Sequence, residues 1–346
     1  MEAKPKKKRR LKERLNSTSA APTSDATERA AAASPANTSA AVGRPWTVSL
    51  ALPGSIVDNA QSHELRSYLV GQVARAAAIF NIDEIVVFQG PKPLASADKK
   101  TEGSVFMLRL LQYLECPQYL RRKLFPMHPD LRCVGLLNPL DAPHHLRVDE
   151  DVGYREGVVV ERQAKPGHSF VDVGKAKEQL IDRQLPAGTR VTVRLPPVSA
   201  KGRPGAAVSP REPREVGGLY WGYSVRLAPS LSAVWSDCPF ETGYDFTLGT
   251  SEHGAPVDEA PVPSFRHLLL VFGGVEGLEP AIAADEELSA CGADPSSIFD
   301  CYLNLCPAQG SRTIRTEEAL LIGMAALQPH IARAQAVPSA AGPRPS

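Results

Sequence analysis

Three polar or glycine-rich segments in the second half of the chain each follow a short predicted strand. Gly249-Thr-Ser-Glu-His-Gly254 follows Tyr244–Leu248, Gly273-Gly-Val-Glu-Gly277 follows Leu268–Phe272, and residues 304–313 follow Ile298–Leu303. Glycine lets backbone amides approach a ligand closely, so such segments can cradle a nucleotide or a phosphate. The spacing is neither the G-x-G-x-x-G of dinucleotide sites nor a Gly-Lys-Ser/Thr phosphate loop, and Glu276 and Glu279 would repel an anion. Acidic loops better suit a cofactor with a positive centre and a hydrogen-bonding adenosine. Cys301 and Cys306 lie close enough to suggest a metal, but no histidine is near them to complete a tetrahedral set, and no metal is expected. The six cysteines form no C-x-x-C pair or regular framework, which fits reduced, intracellular usage. His144-His145 read as loop packing or as an RNA contact.

Loops of this kind need strands beneath them. Trp46, Val48, Leu50 and Leu52 alternate with Thr47, Ser49 and Ala51, the period-two pattern of a strand, and Pro53-Gly54 stops it. Ser62 can cap a helix whose apolar positions Leu65, Leu69, Val73, Ala76, Ala77 and Phe80 recur every three to four residues. Glu84–Phe88 supplies the next strand and completes a βαβ unit. Val105, Leu108, Leu111 and Leu114 mark a further helix that ends at Pro117, and Leu320, Leu321, Met324 and Leu327 share a face of a helix over Glu317–Leu327. Open parallel sheets bind ligands at the carboxyl ends of their strands, so the three segments are expected to form one site.

Between these α/β halves the texture changes. Val158-Val159-Val160, Thr189–Leu195 and Tyr220–Leu227 read as short strands separated by Pro/Gly turns. They suit a small β-barrel of OB type or an elaborated hairpin. The 346 residues carry a formal net charge of only +1, yet the charge is unevenly spread. Residues 1–14 hold 8 basic and 2 acidic side chains, residues 155–226 hold 13 and 7, and residues 227–346 hold 5 and 15. Basic segments point to nucleic acid, which the overall sum conceals. The run 4–12 reads as a nuclear import signal, a nucleic-acid arm or a solvated tail. Residues 15–43 are too poor in bulky apolar side chains to fold and read as a linker. No run approaches the roughly 20 apolar residues of a membrane span, so no membrane partner is expected.

Five ordered blocks carry a family resemblance: Leu52-Pro-Gly-Ser-Ile-Val-Asp-Asn-Ala-Gln61, Leu136-Leu-Asn-Pro-Leu-Asp-Ala-Pro-His-His145, Gly218-Leu-Tyr-Trp-Gly-Tyr223, Val271-Phe-Gly-Gly274 and Gln309-Gly-Ser-Arg-Thr-Ile-Arg-Thr-Glu-Glu318. Together, over residues 44–332, they resemble the eukaryotic and archaeal SPOUT-domain RNA methyltransferases, a family with kinetochore- and spindle-associated members. The resemblance implies an α/β SPOUT domain with a trefoil knot, interrupted by an OB-like β-barrel. The expected organisation is a disordered basic tail over 1–43, the first catalytic part over 44–145, an RNA-binding insertion over 146–226, the knotted second part over 227–333 and a flexible tail over 334–346. It further implies a homodimer in the nucleus or nucleolus, with possible spindle or kinetochore association, that binds S-adenosyl-L-methionine and ribosomal RNA.

Carried over by position, the implied cofactor residues are Thr250, Ser251, Glu252 and His253, then Gly273 and Gly274, then Asp300, Cys301, Asn304, Leu305, Arg312, Thr313 and Ile314. The implied reaction is methylation of uridine N3 in large-subunit ribosomal RNA, with Asn59, Arg66, Glu252 and Arg312 as catalytic candidates. N3 must lose a proton, so a positioned base or a cation that stabilises the uracil anion would help. Three positions depart from the family pattern, one of them Leu305, where the family usually has threonine. His253 stands where the family usually has arginine, which makes one contact pH-dependent or removes it. Ala308 replaces a glycine, which is harmless only where no positive φ is needed. If these changes abolish turnover, the alternative is a non-catalytic RNA-binding scaffold.

Overall fold

The computed structural model describes residues 43–90, 103–200, 202–290 and 294–336. The expectations for the basic tail and linker over 1–42 and for the C-terminal residues 337–346 lie outside them. The alternation at the start of the folded region sets the architecture. Strand β1 (Thr47–Pro53) buries every residue, and its two neighbours are parallel to it. Leu50 lies opposite Ile85 of β2 (Glu84–Phe88) and Leu270 of β10 (His267–Val271), while Ala51 lies opposite Val86 and Val271. One face therefore collects Leu50, Ile85 and Leu270, and the other collects Ala51, Val86 and Val271. Strands buried on both faces are what an all-parallel sheet requires.

Three more parallel strands complete this sheet: β8 (Ser224–Ala228), β9 (Phe246–Pro256) and β11 (Cys301–Asn304), in the order β11-β9-β10-β1-β2-β8. Helices α1 (His63–Ile79), α2 (Gly103–Glu115) and α4 (Thr316–Ala336) cover the Leu50 face, and α3 (Gln118–Leu124) follows α2 after Pro117. Helix α1 starts where the capping residue dictates: Ser62 Oγ accepts from the Leu65 N–H at 3.2 Å. Among the described residues no helix is long and apolar enough to cross a membrane.

Three segments depart from the sequence reading. Residues 249–254 lie within β9 rather than in a separate loop: β11 pairs with Gly249 at their start and with Ala255 and Pro256 after them, and the register shift between Tyr302 and Leu303 leaves 250–254 as a bulge. The strand expected over Ile298–Leu303 starts later, at Cys301, because Pro295–Ile298 forms a helical turn. Tyr220–Leu227 was expected in the β-rich insertion. Its strand is β8, which pairs in parallel with β2 through Val86 and Arg226, so the main sheet resumes at Ser224, ahead of the expected boundary at 226. Tyr220, Trp221 and Tyr223 are buried instead as packing residues at the junction.

The intervening strands β3 (Tyr154–Val159), β4 (Ser169–Asp172), β5 (Gln179–Ile181), β6 (Arg190–Arg194) and β7 (Ala206–Val208) form an antiparallel sheet in the order β5-β4-β3-β6-β7. The sheet curls until its edges meet. The Gly205 N–H donates to Leu180 O at 2.8 Å, and the Asp182 N–H donates to Gly205 O at 3.1 Å. Val159, Val171, Ile181, Val191 and Val193 fill the inside.

A buried polar network joins this sheet to the main one. Arg190 donates through both terminal nitrogens to Glu115 at the end of α2, at 2.6 and 2.9 Å, and through Nε to Glu156 of β3 at 2.7 Å. Trp221 Nε1 and Thr192 Oγ1 donate to the other oxygen of Glu156, at 2.7 and 2.5 Å. His144, wholly buried, stands 3.0 Å from the Glu115 carboxylate. Burial alone would raise the Glu115 pKa, but Arg190 and His144 outweigh it and hold the group at about 2. Gly222 has φ +83°, and a Cβ there would press on Glu115 and His144 at 2.5 and 2.8 Å, so only glycine fits. His144 is thus a core residue of the junction, the packing alternative of the two read from sequence.

Candidate active site

The carboxyl ends of β9, β10 and β11 enclose a cavity of about 480 Å3. Each wall is fixed by backbone geometry. After β10, Gly274 and Gly277 exchange two backbone hydrogen bonds, at 3.0 and 3.1 Å, in a tight turn. A Cβ on Gly273 would overlap the Gly277 backbone, and Gly277 itself has φ +83°. Both positions therefore need glycine, and the turn lies flat against the cavity. The Thr316 hydroxyl, at the start of α4, donates to Gly273 O at 2.9 Å and ties the segment after β11 to this turn. On the β9 side, Thr250 Oγ1 donates to Val271 O at 3.1 Å. Asn304 Nδ2 donates to Glu252 O at 2.8 Å, while Asn304 Oδ1 accepts from the Cys306 N–H at 3.0 Å.

The structure brings together ten of the expected cofactor residues. Thr250, Ser251, Glu252 and His253 line the cavity from β9, Gly273 and Gly274 from the turn after β10, and Asn304, Leu305, Thr313 and Ile314 from the third segment. Three others are elsewhere. Asp300 precedes β11, where its Oδ2 accepts from both the N–H and the hydroxyl of Thr247 at 2.8 Å, a strand-pairing role. Cys301 pairs with Leu248 within the sheet. Arg312 is exposed and does not line the cavity. Asn59 and Arg66 are also outside its lining, at the turn after β1 and the first turn of α1.

The acidic Glu279, expected beside the ligand, is found there, and two further walls come from a helix that the sequence did not mark as part of the site. Glu279 reaches the turn because Gly277 has no side chain in its way, and Ala319 and Ile322 enter from one face of α4. The spacing of Ala319 and Ile322 resembles that of any helix face, so nothing marked them in advance. The mouth is acidic: Glu252, Glu276 and Glu279 line it, and His253, exposed at its rim, has Nε2 3.7 Å from Glu252 Oε1. Among the described residues no group of three or more His, Cys, Asp or Glu converges as metal ligands would.

The cavity thus lies where open parallel sheets place their ligands, at the carboxyl ends of three adjacent strands. The family model described as "Putative RNA methyltransferase" matches residues 47–327, and the chain belongs to that SPOUT-type family. It is 56% identical over 306 residues to the 28S rRNA (uridine-N(3))-methyltransferase of Homo sapiens, covering 85% of this chain and 81% of the relative. The protein of the same name in Mus musculus is 55% identical, over 87% of this chain and 82% of its own length. That of Drosophila melanogaster is 50% identical, over 82% of this chain and 62% of its own length.

Proposed function

We propose that this protein is an S-adenosyl-L-methionine-dependent RNA methyltransferase acting on uridine N3 of large-subunit ribosomal RNA. The observation that carries the reading is the cavity at the ends of β9, β10 and β11, in a chain 56% identical to an enzyme named for that reaction. The cofactor fits this site on three grounds. The volume of about 480 Å3 suits a ligand of its size, the Gly273–Gly277 turn offers close backbone approach, and the acidic mouth tolerates a cation. Thr250, Ser251, Gly273, Gly274, Asn304, Leu305, Thr313 and Ile314 would hold it, largely through backbone groups. S-adenosylmethionine supplies, when bound, a methyl carbon already activated by its sulfonium.

The chain must then orient the uracil and manage its N3 proton. Glu252, at the cavity mouth, is the proposed proton acceptor. Arg66 is the proposed cation that stabilises charge on the flanking uracil oxygens, with Asn59 beside it and Arg312 on the RNA side. The curled antiparallel sheet is the proposed OB-like RNA-binding module, consistent with the basic excess over 155–226. A trefoil knot is proposed for residues 227–333 on the family resemblance alone. A homodimer is supported by Leu65 and Tyr68 of α1, which are 54% and 52% exposed in the single chain. The basic run near the amino terminus supports nuclear residence, and spindle or kinetochore association rests on the family resemblance alone. Calorimetry with S-adenosylhomocysteine tests the site: purified protein should bind it, and no binding would refute the enzyme reading.

A further inference from the structure

Arg66 is held more firmly than a helix-surface arginine ordinarily is. Its Nη2 donates to Asp58 Oδ1 at 3.0 Å, and its guanidinium carbon lies 4.7 Å from the centre of the Phe106 ring. The side chain is only 13% exposed, and its buried Nε has no hydrogen-bond partner. A long cation pays a cost in rotamer freedom to be held in this way, and a solvated role would not require it.

Asp58, whose side chain is 45% exposed, is bounded on its inner side. It closes the turn Gly54–Asn59 that leaves β1, and α2 begins directly against it. A Cβ on Gly103, the first residue of α2, would stand 2.9 and 3.0 Å from the two Asp58 oxygens and 2.7 Å from Gly54 O. Glycine at 103 thus lets the positive end of a 13-residue helix approach the carboxylate. Burial raises the Asp58 pKa and Arg66 opposes that rise. The end of β1, from which this turn departs, adjoins the cofactor cavity: Pro53 Cγ lies 3.7 Å from where a Cβ on Gly274 would stand.

We propose that Asp58 is a positioning residue for methyl transfer, fixing the guanidinium of Arg66 at the carboxyl edge of the main sheet. It touches neither cofactor nor uracil and acts through Arg66. The inference rests on the reading of Arg66 as the cation that stabilises the uracil anion. With one edge of the guanidinium bound to Asp58 and one face resting on Phe106, Arg66 Nη1 keeps a defined direction for a uracil oxygen.

The test is a double-mutant cycle on methyl transfer to undermethylated large-subunit ribosomal RNA, with Asp58→Asn, Arg66→Gln and the double variant. Each protein is also titrated with S-adenosylhomocysteine. Asp58→Asn should lower kcat by roughly tenfold to a hundredfold with S-adenosylhomocysteine affinity unchanged. The double variant should be no slower than Arg66→Gln alone. Additive losses would overturn the proposal, since Asp58 would then act independently of Arg66. Loss of S-adenosylhomocysteine binding in Asp58→Asn would also overturn it, by making Asp58 a residue of the fold. Full activity in Arg66→Gln would refute the reading of Arg66 itself, an outcome distinct from a failure of Asp58 alone.

Discussion

Arg190 of the antiparallel sheet grips Glu115 of the main-sheet helix α2 with both terminal nitrogens, at 2.6 and 2.9 Å. The two carboxylates that Arg190 bridges, Glu115 and Glu156, are 9% and 4% exposed. Removing the cation leaves two buried carboxylates, Glu156 with only the neutral donors Trp221 and Thr192 and Glu115 with only His144. Arg190→Gln should therefore destabilise the protein by about 3 kcal/mol in urea denaturation. Proteolytic cleavage should increase within residues 154–208 while S-adenosylhomocysteine still binds. An unchanged urea midpoint would mean that the pair is not a structural lock.

Acid should undo the same junction in two stages. His145, whose ring lies 2.6 Å from Glu115 O, is held neutral: burial, then neighbouring His144, lower its pKa from 6.5 to about 4. Below about 6.5 the unfolded chain binds this proton and the folded chain does not, so stability falls between pH 6.5 and 4. Glu115 works from the opposite charge state with the same sign. Its pKa drops from 4.5 to about 2 on folding, so its contribution is complete above pH 4.5 and is lost as pH falls towards 2. Denaturant midpoints measured from pH 7 to 3 should decline throughout, and His145→Gln should flatten the upper part of the decline only.

The two adjacent glycines after β10 should behave differently. A Cβ on Gly273 collides with the Gly277 backbone, whereas one on Gly274 meets only Pro53 Cγ at 3.7 Å. Gly273→Ala should abolish S-adenosylhomocysteine binding in calorimetry, and Gly274→Ala should keep it. Equal effects would mean that backbone approach at 273 is not what shapes the site.

Arg312 separates cofactor binding from RNA binding. It is exposed and outside the cavity lining, so Arg312→Ala should leave S-adenosylhomocysteine affinity unchanged and raise the KM for RNA. A weakened cofactor affinity would return it to the cofactor set.

Much of this arrangement was legible in the residues. The alternation from Trp46 to Leu52, the Ser62 cap and the glycine-rich run after Val271 led directly to β1, α1 and the cavity wall. What was not legible depended on partners distant in sequence. Residues 249–254 carry loop-like composition yet sit inside β9, because β11 pairs with Gly249 at one end of them and with Ala255 and Pro256 beyond the other. Tyr220–Tyr223 look like a strand by their aromatic content, but burial at the junction with Glu115 and Glu156 decides their place. Asp300 and Cys301 adjoin cavity residues in sequence but lie at the amino end of β11, where they serve the sheet pairing, while the cavity opens at the carboxyl end of that strand, at Asn304.

The most direct measurement is mass spectrometry of large-subunit ribosomal RNA nucleosides from cells with and without this gene, complemented by the wild type or by Gly273→Ala. The account predicts that 3-methyluridine disappears without the gene, returns with the wild type and does not return with Gly273→Ala. Undiminished 3-methyluridine in cells lacking the gene would contradict it.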